Sequence, residues 1–187
     1  MFAKKAILIL FGLTVLLLGC KKDLKPDEQG LAVQPLQVYY TQFSLYQEKN
    51  NFRTTNYRKG VLIPINTPVN LLSIDSDTAL LKLQATGQPL TIENVPKFTK
   101  DSMAIAFSKI AGTNKVDLSV FTKAEQESIL SGQVKPGMSK QAVLAAIGYP
   151  PQHETPTLEA NSWTYWSNRF NRFIVNFKND KVENIVD

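Results

Sequence analysis

The sequence predicts an α+β protein: a β-rich region over residues 36–112 that ends in a helix, followed over 113–187 by two helices and three strands. Three observations predict this class. Between Leu36 and Asn94, short apolar and aromatic runs of strand length are separated by Gly, Pro, Asn and Asp. From Thr99 onward the apolar spacing changes to three and four, the period of a helix. After Ala160 the period returns to two, and Asn179-Asp180 sits between the last two runs as a hairpin signal.

The elements follow in order. Lys4 and Lys5 precede an unbroken apolar stretch, Ala6 to Leu18, so residues 1–19 read as a secretory signal. The stretch is shorter than the roughly 20 residues that a spanning helix needs. Leu17-Leu18-Gly19-Cys20 looks like a lipobox, so Cys20, the only cysteine, is expected to carry acyl chains that anchor the mature protein. Each buried methylene contributes roughly 0.8 kcal/mol to such anchoring. A lone cysteine excludes internal disulfides in the mature chain. Residues 20–35 are charged, poor in large apolar side chains and broken by Pro26, Gly30 and Pro35, which describes a tether.

In the β-rich region Leu36, Val38 and Tyr40 alternate with Gln37, Tyr39 and Thr41, and Phe43 and Leu45 continue the series. Asn50-Asn51 is expected to turn the chain. Strands are expected over Phe52 to Tyr57, Val61 to Ile65, Val69 to Ile74, Ala79 to Leu83 and Leu90 to Ile92, forming a small antiparallel sheet or a partly closed barrel. The phrase Gly60 to Val69 resembles SH3-like barrels. Thr99 is expected to cap a helix running to about Ala111, with Met103, Ala106, Phe107 and Ile110 on one face and Gly112 as the stop.

A second helix is expected near Ser119 to Leu130, with Thr122 and Glu125 in capping-box spacing. Ser139 is placed to cap a third, carrying Val143, Leu144 and Ile147, which Gly148 closes in a left-handed conformation and Pro150 and Pro151 keep from continuing. Trp163 and Tyr165 then share one face of a strand, with Thr164 and Trp166 on the other. Phe173, Val175 and Phe177 alternate likewise, and a hairpin at Asn179-Asp180 pairs them with Val182 to Val186.

The ordered series Ile129, Leu130, Gly132, Val134 to Ser139, Val143, Gly148 to Pro150, Trp163, Tyr165, Val175 to Phe177 and Val182 to Ile185 resembles the SmpA/OmlA family of outer-membrane lipoproteins, the BamE-like accessory subunits of the β-barrel assembly machine. The resemblance covers about 70 residues from Leu118 to the end. It implies an αα-βββ unit of the kind also found in β-lactamase-inhibitor (BLIP-like) proteins, together with a scaffold role in outer-membrane assembly. About 80 residues of additional material precede it, a departure from the compact family pattern.

Chemistry-bearing motifs are sparse. His153, the only histidine, has no second imidazole or thiolate with which to build a zinc site, so none is expected. Asp75-Ser76-Asp77 lacks the glycine and distal glutamate of a calcium loop and reads as a polar turn. No nucleophile elbow, P-loop or zinc-hydrolase motif occurs, so neither enzyme activity nor a cofactor is expected. The net charge of +5 falls to +3 when Lys4 and Lys5 leave with the signal, and no dense basic stripe suggests nucleic acid as a partner. The expected partners are a membrane, reached through the lipid anchor, and the β-barrel assembly machinery or another envelope protein. Trp166, which alternation sets on the strand face turned from the helices, and neighbouring Arg169 are the candidate partner patch. The location implied is the outer membrane, facing the periplasm, with an inhibitor or sensor module for a periplasmic enzyme or cell-wall ligand as the alternative role.

Overall fold

A computed structural model describes residues 37–167 and 170–187. The expected signal, Cys20 and the tether at 20–35 lie outside the described residues, as does Arg169.

The punctuation of the first half yields β1 (Val38–Thr41), β2 (Leu45–Gln47), β3 (Asn51–Arg53), β4 (Val61–Ile63), β5 (Pro68–Ile74), β6 (Thr78–Leu83) and β7 (Pro89–Glu93). A further short strand, β8 (Ala111–Gly112), follows the helices. They form a six-stranded sheet in the order β3-β7-β6-β5-β1-β8 and a two-stranded ladder of β2 with β4. The sheet departs from the antiparallel one expected from the short spacings, because β3 runs parallel to β7. The chain leaves after β3, builds β4 to β6, and returns at β7 alongside it.

Alternation holds in β1 but with its phase reversed, since Tyr39 and Thr41 rather than Val38 and Tyr40 take the buried side. Tyr39 meets Phe107 edge-on at 5.3 Å. Thr41 is tolerated inside because its hydroxyl donates to Pro64 O at 2.8 Å and accepts from Thr67 N at 3.0 Å. The turn after β2 sits one residue earlier than expected, at Lys49-Asn50, both at positive φ. Reciprocal Glu48–Asn51 backbone bonds close it as a two-residue hairpin. The strand expected over Phe52 to Tyr57 stops at Arg53. There Asn56 N bonds Arg53 O, and the Asn56 amide bonds the Tyr46 and Lys59 carbonyls, so the side chain competes with the ladder and turns the chain.

Asp75 behaves as a turn residue, its Oδ1 accepting from the Asp77 and Thr78 backbone N–H groups at 2.8 and 2.7 Å. Thr99 does not cap the helix expected from it. It ends a single turn, α1 (Pro96–Thr99), and Lys100 in the left-handed region breaks the chain there. Ser102 instead caps α2 (Met103–Ile110), accepting from Ile105 N. Nor does Gly112 act as a helical stop. Ala111 turns extended, and β8 pairs with β1 through Thr41–Ala111 and Tyr40–Gly112.

The second half follows its pattern closely. After a 3-10 turn (Leu118–Val120) come α3 (Lys123–Leu130), α4 (Lys140–Ile147), β9 (Ser162–Trp166), β10 (Arg172–Lys178) and β11 (Lys181–Val186). The strands form an antiparallel sheet in the order β11-β10-β9. Thr122 and Glu125 form the capping box, Ser139 accepts from Ala142 N, and Asn179 and Asp180 both take positive φ in the hairpin. Trp163, Tyr165, Phe173, Val175, Phe177 and Val182 are buried together with Ile129, Val143 and Ile147 of the helices.

Two apolar cores result. The first joins the six-stranded sheet to α2; the second lies between α3, α4 and the three-stranded sheet, yet it also takes in Tyr57 and Ile65 from the first half. The junction is polar as well. Ser44, 1 % exposed, donates to Ile129 O at 2.6 Å and accepts from Ile65 N at 3.0 Å, while its own N–H reaches Ala145 O. Tyr57 and Tyr165 donate to the Tyr149 and Gly148 carbonyls at 3.0 and 3.1 Å, and burial pushes both phenol pKa values up. Gly148 takes φ +83° and ψ −169°, a positive φ as expected but an extended, glycine-only conformation rather than the left-handed helical one. A Cβ there would stand 2.7 Å from the Phe43 ring.

Candidate partner-binding surface around Trp166

Strand alternation places the candidate residue. Trp163 and Tyr165 point to the helices and are fully buried, so Thr164 and Trp166 lie on the opposite face, as the period of two requires. Trp166 is half-buried rather than a freely projecting ring. Phe98 of α1 packs beside it with centroids 5.6 Å apart, and the Arg172 guanidinium lies over its ring at 4.7 Å. Arg172 is in turn held by Glu154 at 2.9 Å, and Glu154 lies 3.3 Å from His153. His153 is anchored through its backbone N–H to Phe98 O and packs edge-on against the Phe98 ring at 5.6 Å.

Trp166 and Ser167 form one side of an open groove of about 640 Å³ whose other side comes from the first half of the chain. Asn51 and Arg53 of β3, Glu93 of β7, and Glu48, Asn56 and Lys59 from the neighbouring turns line that far side, with Phe98 between. Two ion pairs run along it: Arg53 with Glu93 at 3.2 Å and Lys59 with Glu48 at 3.0 Å. Two polar atoms of the lining residues, Trp166 Nε1 and Asn51 Oδ1, are buried without a hydrogen-bond partner. Asn51 Nδ2 donates to Glu93, which identifies Oδ1 as the unpaired acceptor.

Sequence reasoning reached Trp166 but none of the far side. Phe98 and Trp166 are separated by 68 positions, and no local spacing connects them. The cation set on the Trp166 ring is Arg172, its cross-strand partner in the β9–β10 register, a relation that hairpin length decides. Tyr39, Tyr57, Trp163 and Tyr165 belong to the cores instead. Among the described residues no group of three or more His, Cys, Asp and Glu side chains is placed to hold a metal ion.

A carboxylate with a strong electrostatic environment lies elsewhere. Glu125 is 5 % exposed, and burial, the largest single influence, pushes its carboxyl up. Hydrogen bonds from Ser139 and Thr122, backbone N–H groups first and hydroxyls second, together outweigh that and hold it at about 2. Oε1 accepts from Ser139 N at 2.8 Å and lies 3.4 Å from Lys181 Nζ, whereas Oε2 accepts from Thr122 N at 3.0 Å. One carboxylate thus joins the starts of α3 and α4 to β11, a structural task.

Most of α3, together with α4 and the three-stranded sheet, falls within one stretch matched by a family model. Residues 126–187 match a BamE domain. The family model is that of the outer membrane protein assembly factor BamE domain, and it runs from the first turn of α3 through β11. The SmpA/OmlA-like reading of the C-terminal part therefore stands. No curated protein and no solved structure matches the chain. The BamE-domain match ends short of the six-stranded sheet, so the groove has one wall inside the matched stretch and one outside it.

Proposed function

We propose that this chain is a lipid-anchored, periplasm-facing lipoprotein of the outer membrane that acts as a non-catalytic scaffold in outer-membrane protein assembly or envelope integrity. The BamE-domain match over residues 126–187 carries this reading. The lipobox ending in Cys20 supports the anchor, with residues 1–19 removed and 20–35 serving as tether. Residues 36–112 and 113–187 are the β-rich region and the SmpA/OmlA-like unit. Partner contact is assigned to Trp166 and Arg169, since a half-buried indole under the Arg172 guanidinium suits a protein contact. The mechanism is docking and steadying, with no bond chemistry.

The test is affinity purification of the tagged chain from envelopes solubilised in several mild detergents, beside a Cys20→Ala variant. Wild type is expected in the membrane fraction together with barrel-assembly components, and the variant is expected to leave it. Recovery of wild type without any barrel-assembly component in every detergent would sink the proposal.

A further inference from the structure

The groove beside Trp166 borders a strand edge with open hydrogen-bonding positions. Ser167 N donates to Asn171 O at 2.9 Å, which makes 167 and 171 a bonded pair. In an antiparallel ladder bonded pairs alternate, so Tyr165–Phe173 and Trp163–Val175 are bonded too. The N–H and C=O groups of Ser162, Thr164 and Trp166 then point away from β10. Thr164 confirms this direction, its N–H reaching Thr155 Oγ1 at 3.0 Å on the outer side. The loop carrying Thr155 covers the edge there. At Trp166, where the groove begins, no backbone partner is present among the described residues.

We infer that this groove receives an extended polypeptide segment of a partner protein, paired through its backbone with the outer edge of β9 at Trp166. A strand edge is satisfied by alternating donors and acceptors at strand spacing, which a polypeptide backbone supplies. Trp166 and Asn51, on opposite sides of the groove, each also carry one buried polar atom without a partner, Nε1–H and Oδ1. Charge selects further. Arg53 with Glu93 and Lys59 with Glu48 sum to zero, so the complementary segment is neutral overall, with polar or oppositely charged side chains. A glycan fits less well, since a sugar stacks on an open ring face. Arg172 covers the Trp166 ring and Phe98 packs beside it, while Phe98 itself is bordered by Lys97 at 5.6 Å and by His153. The far side lies outside the BamE-domain match, so the site belongs to the whole chain.

This inference rests on the reading of the chain as a protein-binding scaffold and names the chemistry of what it holds. The probe is a phage-displayed pool of random decapeptides, selected on the full chain in detergent, with selected sequences remade as capped peptides. Binding is read by NMR on the 15N-labelled chain. The expected result is a shifted Trp166 indole N–H and an exchange rate of the Trp166 backbone amide slowed at least about tenfold. Trp166→Phe and Asn51→Ala are each expected to weaken binding about tenfold, and N-methylation of the paired peptide bond to abolish it. Selected peptides that leave Trp166 unmoved, or that bind equally well when N-methylated, would overturn the inference. So would a Trp166 shift produced only by N-acetylglucosamine oligomers, which would reassign the groove to glycans. If peptides bind here but the purification finds no assembly component, the scaffold reading fails and the groove stands; the reverse outcome removes the groove alone.

Discussion

Consider Glu125→Gln, a change that keeps shape and removes charge. The carboxylate serves two sides: Oε2 takes the Thr122 N–H at 3.0 Å and hydroxyl at 2.9 Å, and Oε1 takes the Ser139 N–H at 2.8 Å. A carboxamide has one oxygen, so its NH2 group must face either Thr122 N or Ser139 N, donor against donor. One buried N–H then lacks an acceptor, a loss of about 1–3 kcal/mol, and the remaining bonds lose their charge assistance. A total of about 2–3 kcal/mol is expected at pH 7, of the same order as holding a carboxyl at about 2 against an ordinary 4.5. The sign follows from a depressed folded-state pKa. The wild-type contribution is complete above about 4.5 and disappears as the pH falls toward 2, so the two proteins converge in acid. Urea unfolding at a series of pH values measures this, with a midpoint about 1 M lower for the variant at pH 7 and a slope near 2 kcal/mol/M. A variant within 0.5 kcal/mol of wild type at pH 7 (a threshold of about the size of a surface substitution), or a gap that persists unchanged to pH 2, would refute the reasoning.

Three further outcomes test the junction between the two halves. Ser44→Ala leaves Ile65 N–H and Ile129 O without their shared hydroxyl and is expected to cost about 2 kcal/mol, or about 6 °C in Tm by calorimetry. Gly148→Ala forces a Cβ to within 2.7 Å of the Phe43 ring in a glycine-only conformation; a loss of about 3 kcal/mol is expected, and unchanged stability in urea would show that Phe43 moves aside freely. The fragment 113–187, without Tyr57 and Ile65, lacks part of its apolar core and is expected to lose cooperative unfolding or to self-associate. Near-ultraviolet circular dichroism and size-exclusion chromatography check this, and a monomer with a sharp transition would contradict a shared core.

Whatever depends on near neighbours was legible along the chain. Thr122 with Glu125, Ser139 at the head of α4, the Asn179-Asp180 hairpin and the alternation through Trp163, Tyr165, Phe173 and Val175 are set within a few residues, because caps, tight turns and strand period act over that range. The same locality made the BamE-like tail recognisable. Short range also set the errors: Ser102 displaced Thr99 as the cap because Lys100 could turn left-handed between them, and Gly112 became strand because Thr41 lay ready to pair with Ala111. Packing of the whole chain was needed to set β3 parallel to β7, to bring Tyr57 and Ile65 into the second core and to close Phe98 on Trp166. Those contacts join residues tens of positions apart, and apolar attraction carries no direction, so which distant surfaces meet is settled by how the whole chain packs.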